Sequence, residues 1–176
     1  MSGRATDPRR LDVATLAAAE ATLDGQWPLS GFARLPEARA QEGSVDWSLQ
    51  SALRCTAGGR AEPWLALNVA TRVRLACQRC LQDFDVPLRI EANFRFVADE
   101  SLAAALDAEA EEDVLALPQR LDLHDLLEDE LLLALPLVPM HDTCPEPLRT
   151  HAGTLPAEPA AHPFAALRTI ASRRGP

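Results

Sequence analysis

Lysine and tyrosine are both missing from this chain: all 17 basic residues are arginine, and no tyrosine occurs among the 176 residues. So uniform a usage reflects genomic base composition before function, so the choice of arginine over lysine carries no argument. Long apolar runs are missing too. A membrane helix needs about 20 apolar residues in succession, whereas Leu131 to Met140 is short and already contains Pro136 and Pro139, which excludes a transmembrane role. Arg4, Arg9 and Arg10 have no apolar stretch behind them of the kind a secretory signal carries, and the expected location is the cytoplasm. Neither Gly-x-x-x-x-Gly-Lys-Ser/Thr nor Gly-x-Gly-x-x-Gly occurs, so nucleotide hydrolysis and dinucleotide chemistry lack their phosphate cradles.

What is present suffices for a folded domain. Hydrophobic residues make up 47% and charged residues 24%, close to the averages of soluble globular proteins, and the length is that of about one domain with a sizeable core. The net charge of −9 is unevenly spread: Asp99 to Glu146 holds 14 of the 26 acidic residues against Arg120 alone, while the rest sets 12 acidic residues against 16 arginines. That distribution excludes a broad phosphate-binding surface, which needs many basic contacts, and leaves room only for local RNA contact.

Val13, Leu16, Ala17 and Leu23, at helical spacing behind Asp12, predict a short helix over Asp12 to Leu23 that Gly25 ends. Gln26 to Leu29 reads as a brief strand, and Ser30 as the cap of a helical turn through Phe32 and Leu35. From Val45 the period becomes two, with Val45, Trp47, Leu49 and Leu53 on one side of a strand, after which Gly58 and Gly59 turn the chain. Leu65, Leu67, Val69, Val73, Leu75 and Cys77 then alternate on odd numbers, and Phe84, Val86, Leu88, Ile90, Phe94 and Phe96 on even ones. Two long antiparallel strands follow, and the turn between them is Cys77-Gln78-Arg79-Cys80.

Glu100 to Glu112 reads as a solvated helix or loop and Val114 to Leu117 as an edge strand. Asp122 then caps a helix, with Asp125 at N3 and Leu123, Leu126, Leu127, Glu130, Leu131 and Ala134 following until Pro136 stops it. Eight of the 14 prolines fall in the last 41 residues, so Pro145 to His162 reads as an extended tail, with Phe164, Leu167 and Ile170 as a docking segment beyond it. The expected fold is α+β: an antiparallel sheet of Val45 to Cys55, Trp64 to Cys77 and Leu81 to Val97, with its long hairpin, packed by a few helices. Residues 1–144 would form this domain, and 145–176 a proline-rich tail with a short docking helix.

Four cysteines in a cytosolic chain suit thiol or metal chemistry better than disulfides. Cys77 and Cys80 share a turn, and His141 and Cys144 repeat the same gap in a loop after a helix stop. Together they would make the Cys3His set of a structural zinc site, since two ligands three positions apart on a turn can point at one ion. A pair of reduced thiols at a hairpin tip fits the same sequence. Thioredoxin-like redox work fits less well, because the motif lies between strands and not at a helix N-terminus that would lower a thiol pKa. Cys55 reads as a half-buried strand residue and His124 as a surface or capping histidine. Glu128, Asp129 and Glu130 read as a solvated acidic face, and Trp27, Trp47 and Trp64 as core.

Three segments resemble the bacterial YceD family. These are Val73 through Leu81 with its Cys-Gln-Arg-Cys, Leu121-Asp122-Leu123 through Glu128-Asp129-Glu130-Leu131-Leu132-Leu133-Ala134-Leu135-Pro136, and Val138-Pro139-Met140-His141-Asp142. In the tail, His162-Pro163-Phe164-Ala165-Ala166-Leu167 is similar to the family's Asn-Pro-Phe-x-x-Leu ending, with His162 in place of Asn. The resemblance implies a role in the synthesis, processing or stability of 23S ribosomal RNA and in assembly of the large subunit, with no enzymatic activity attached. Many members carry further cysteines after the helix, where this chain has Cys144 preceded by His141.

Joined to the residues, the resemblance implies a non-enzymatic factor whose partner is 23S rRNA or its precursor, a large-subunit ribosomal protein, or both. Arg72, Arg74, Gln78, Arg79, Arg89 and Arg95 on the hairpin would face RNA, and Glu128, Asp129 and Glu130, with Phe164 and Leu167, a protein. The alternatives are an RNA-processing or RNA-modifying enzyme and a zinc-stabilised protein-binding module.

Overall fold

The computed structural model describes residues 6–35, 42–55 and 59–146. All but the last three of these belong to one unit, Met1–Thr143, and Cys144 opens the other. Helix α1 (Val13–Ala18) is capped by Asp12, whose carboxylate accepts from the Thr15 N–H. It is shorter than its apolar spacing predicts. Glu20 turns left-handed at φ 46°, and the Ala21 and Glu20 N–H groups close onto the carbonyls of Leu16 and Ala17, a Schellman ending with no glycine to announce it.

Gly25 therefore ends no helix. It lies within β1 (Thr22–Pro28), paired with Trp47, where an added Cβ would come 2.6 Å from the indole Cζ2. Leu29–Gly31 forms a 3-10 turn preceded by Pro28, with no side-chain cap, so Ser30 does not play the capping role its sequence suggests.

Strands β2 (Ser44–Cys55), β3 (Ala61–Ala76) and β4 (Asp83–Val97) follow. The opposite parity of the two long apolar series has the expected consequence: Val73 faces Val86 and Leu75 faces Phe84 across an antiparallel hairpin. Helix α2 (Glu100–Asp107) then leads to β5 (Asp113–Ala116). The sheet order is β1-β2-β3-β4-β5, and β5 pairs parallel to β4. The α+β class holds, but the sheet is mixed and not wholly antiparallel, because a parallel neighbour needs a crossover and α2 with its flanking loops supplies one.

One sheet face carries the core. Val45, Trp47, Leu49, Leu65, Leu67, Phe94 and Phe96 pack with Leu11, Val13 and Leu16 and with the stripe Leu123, Leu127 and Leu131 of helix α3 (Leu123–Ala134). Asp122 caps α3 as its sequence predicts, accepting from the N–H groups of His124 and Asp125. The two helix starts are laced together by the bonds exchanged between Leu11 and Leu121, at 2.8 and 2.9 Å. Leu53 shares the parity of the inner face yet is 44% exposed, because β2 runs on beyond its helical cover. Cys55 at the end of β2 is exposed and not half-buried.

The acidic run on α3 is solvated only in part: Asp129 is exposed, as its composition suggests, but Glu128 is not. Glu128 is buried beside Leu127, where its Oε1 accepts the Arg34 backbone N–H at 2.7 Å and its Oε2 pairs with Arg34 Nε at 2.9 Å. Asp129 takes Arg34 Nη1 at 2.6 Å. Burial pushes the Glu128 carboxyl up, but the Arg34 backbone and guanidinium outweigh it and hold the pKa below the usual carboxylate range. A depressed folded pKa gives stability that is full above the unfolded value and fades as pH falls through the folded one. Wild type should therefore exceed E128Q by a constant margin above pH about 5 and lose that margin progressively as pH falls through the depressed folded pKa. Paired urea melts over that range check it, and a margin independent of pH would refute the ionic origin.

His124 is likewise not at the surface. Its ring is buried, stacked on Phe32 at 4.4 Å and 3° and set 5.0 Å from Trp27. Burial pushes its pKa down, with Arg9 acting in the same direction. Trp27 and Trp47 lie 4.9 Å apart beside this stack, consistent with their reading as core. Trp64 is half-buried on the other sheet face, under the Arg54 guanidinium at 4.5 Å.

Candidate metal centre

The hairpin tip is built to hold sulfur. Beyond the Ala76–Asp83 pair, Cys77 N–H donates to the Gln82 carbonyl and Leu81 N–H to that of Cys77, a five-residue closure made with Leu81 left-handed at φ 62°. That conformation costs a branched residue about 1 kcal/mol or more. It turns the chain so that Cys77 and Cys80 face the same side.

The loop after α3 meets this tip. The Gln78 N–H donates to the Pro139 carbonyl at 2.8 Å, and Arg79 Nη2 donates to the His141 carbonyl at 2.8 Å. His141 N–H points at Cys77 Sγ from 3.4 Å, and its Nδ1 lies 3.4 Å from Cys80 Sγ. Phe84 supports the imidazole from the next strand, with ring centres 4.5 Å apart. The ligand atoms of Cys77, Cys80 and His141 all lie within 4.8 Å of one another. Ligands of a tetrahedral zinc at Zn–S near 2.3 Å and Zn–N near 2.0 Å stand roughly 3.6 to 3.8 Å apart, so the 3.4 Å between Cys80 and His141 is already close to one tetrahedral edge. Three of the four residues proposed from spacing alone are brought together within one unit, Cys144 belongs to the other, and the cluster of the three could bind a metal.

The electrostatics suit a cation. Burial pushes the Cys77 thiol up, but the N–H groups of His141, Cys80 and Arg79, with the His141 side chain, outweigh it and bring the pKa down from 9.0 to about 5. A thiolate at neutral pH is the form a metal takes without first displacing a proton. Cys77 is buried, while the other three are partly exposed. Two thiols and an imidazole are donor types that zinc takes in structural sites.

The other residues singled out in the sequence are scattered. Arg72 and Arg89 border one depression of about 400 Å³ on the outer sheet face, together with Glu42 and Asp46, and neither arginine has an ion pair among the described residues. Arg74 lies 4.0 Å from Asp83. Arg95 is half-buried, held at 2.7 Å by Glu62 and at 3.7 Å by Glu112. Gln78 is exposed on the tip. Glu128 and Asp129 are engaged with Arg34, and burial, with Asp113 and Asp129 nearby, pushes the Glu130 carboxyl up. Phe164 and Leu167 lie outside the described residues. Sequence reasoning missed Arg34, because its partners stand 94 and 95 positions away and no local pattern marks them.

No helix among the described residues is long and apolar enough to cross a membrane. Among known proteins, the chain is 36% identical over 108 residues to the large ribosomal RNA subunit accumulation protein YceD of Haemophilus influenzae. That match covers 58% of this chain and 62% of the relative's length. No solved structure matches it. The family profile described as large ribosomal RNA subunit accumulation protein YceD matches residues 65–171, from near the start of β3 through the hairpin, the cysteine tip and α3 into the proline-rich tail. By that match over more than half its length, the chain belongs to the YceD family.

Proposed function

We propose that this chain is a non-enzymatic cytoplasmic factor that supports 23S rRNA accumulation, and through it assembly of the large ribosomal subunit, with a structural zinc ion at its hairpin tip. The observation that carries the role is the family match over residues 65–171. The donor set of Cys77, Cys80, His141 and Cys144 supports zinc in a structural capacity, because a Cys3His set would leave no open coordination position for substrate. The engagement of Glu128 and Asp129 by Arg34 weighs against a carboxylate active site on α3, since catalytic carboxylates must reach a substrate in a cleft. The direct partner belongs to the maturing large subunit, as precursor 23S rRNA or as a ribosomal protein.

Depletion of the protein in its own cells should lower the 23S-to-16S ratio and the large-subunit peak of a sucrose gradient, with the small subunit less affected. An unchanged ratio and gradient under strong depletion would count against the role. Enzymatic activity predicts something else: a discrete cleaved or modified 23S species produced by purified protein from precursor RNA.

A further inference from the structure

The turn that aims Cys77 and Cys80 at one ion also puts them within reach of each other. Their Sγ atoms lie within 4.8 Å. The closure from the Leu81 N–H to the Cys77 carbonyl holds Cα atoms three positions apart at or below about 7 Å, the limit beyond which a disulfide needs backbone movement. Side-chain rotation therefore suffices to join the two sulfurs. The turn is fixed from both sides: within the hairpin by the bonds of Cys77 and Leu81, and from the loop after α3 by the Pro139 carbonyl, which accepts the Gln78 N–H. Leu81 keeps its left-handed φ of 62° under these bonds, so the surroundings and not the residue's own preference set where the two thiols stand.

The two sulfurs differ in access. Cys77 is fully buried and Cys80 is partly exposed, so a small oxidant in solvent reaches Cys80 first and leaves Cys77 as the neighbour that can close on it. Susceptibility to oxidation follows exposure, and a second cysteine poised beside the first turns its oxidation into a reversible disulfide. Cys55 supplies the contrast within the same chain. It is exposed, but it pairs with Ala61 at the far end of β3, roughly 50 Å of strand from the tip.

We infer that Cys77 and Cys80 form a peroxide-sensitive dithiol, in which oxidation of Cys80 is resolved by Cys77 and the resulting disulfide displaces the metal from the tip. Cys80 Sγ attacks one oxygen of hydrogen peroxide, the O–O bond breaks, and a sulfenic acid and one water result. Cys77 Sγ then attacks the Cys80 sulfur: the S–S bond forms, the S–O bond breaks, and the hydroxyl departs with the Cys77 proton as a second water. Two electrons have passed from the thiols to the peroxide. From metal-bound thiolates the same step takes two protons from solvent and gives up the metal cation, because neither sulfur of a disulfide offers a thiolate. Metal displacement rests on the reading of the tip as a zinc site; disulfide formation rests on the geometry alone. In a reducing cytosol such a bond is transient and regulatory. The reaction is stoichiometric, unlike the disulfide exchange of a thioredoxin-like motif at a helix N-terminus.

The full chain as purified is treated with equimolar hydrogen peroxide, quenched by alkylation in denaturant and digested with trypsin. Because trypsin cuts after Arg79, a Cys77–Cys80 disulfide shows as two joined peptides lacking two hydrogens and both alkyl groups. Zinc released to a chromogenic indicator should rise in step with the joined peptides, and dithiothreitol should separate them. Cys77→Ser should leave Cys80 as a sulfenic acid trapped by dimedone at about tenfold the wild-type yield, whereas Cys55→Ser should leave the joined peptides unchanged. The map of the unmodified chain does not depend on either variant folding. Cys77 and Cys80 both alkylated after peroxide has oxidised Cys55, or either of them joined to Cys144 instead, would overturn the inference. Zinc bound at the start with no joined peptides formed defeats the dithiol and leaves the zinc reading standing. Joined peptides from a chain that holds no zinc as purified defeat the zinc reading, and metal displacement with it, and leave the dithiol.

Discussion

Replacing Cys77 with Ser should release about one zinc ion per chain and lower the melting temperature by roughly 10 °C or more. The reasoning is linkage: an ion bound only by the folded state at about a thousand times its dissociation constant stabilises by about 4 kcal/mol. In this chain the ion would join Cys77 and Cys80 on the hairpin to His141, across a segment of more than 60 residues, so its loss frees the loop after α3 from the tip. Chelation of the unmodified protein should reproduce the shift. Cys55 supplies the control, since it is exposed at the end of β2 and stands outside the cluster; Cys55→Ser should change neither metal content nor melting temperature. Elemental analysis of protein purified without a histidine tag decides between the two readings of the tip. Zinc near zero, with melting insensitive to chelator, would leave two reduced thiols stabilised by backbone N–H groups.

The second large effect is expected in α3. Leu123, Leu127 and Leu131 are fully buried at four-residue spacing, and they seal the face of the sheet that Phe94 and Phe96 present. Truncating Leu127 to Ala removes apolar surface and leaves a cavity the surrounding strands cannot close, at a cost of about 3 kcal/mol. For a chain of this size that is a fall of roughly 10 °C in melting temperature. The same truncation at Leu133, which is 80% exposed, should cost less than about 0.5 kcal/mol. Equal effects at the two positions would mean that α3 is not docked by this stripe.

Much of this molecule is set by short-range pattern. The opposite parity of the apolar residues in β3 and β4 constrains the hairpin, because side chains alternate across a strand and every register slipped by one residue would put the two apolar series on opposite faces. That register in turn places Cys-Gln-Arg-Cys at the tip. Asp122 and Pro136 bound α3 by cap and stop, and the Cys-x-x-Cys and His-x-x-Cys gaps name four ligands before any contact is known. These readings succeed because each depends on residues a few positions apart.

Other features were decided by partners distant in sequence. The end of α1 is written in a left-handed Glu20, a conformation glycine usually marks, so Gly25 drew the reading although its role is to pass beneath Trp47. The parallel pairing of β5 depends on how α2 crosses the sheet, which alternation does not encode. Glu128 looks like part of a solvated run until Arg34 meets it from 94 positions away, and His124 looks like a surface residue until Phe32 and Trp27 close over it. The metal cluster divides the same way. Spacing alone determined each Cys/His pair, but only the tertiary structure, by fastening the loop after α3 to the hairpin through Gln78, Pro139, Arg79 and His141, brought His141 within reach of Cys77 and Cys80.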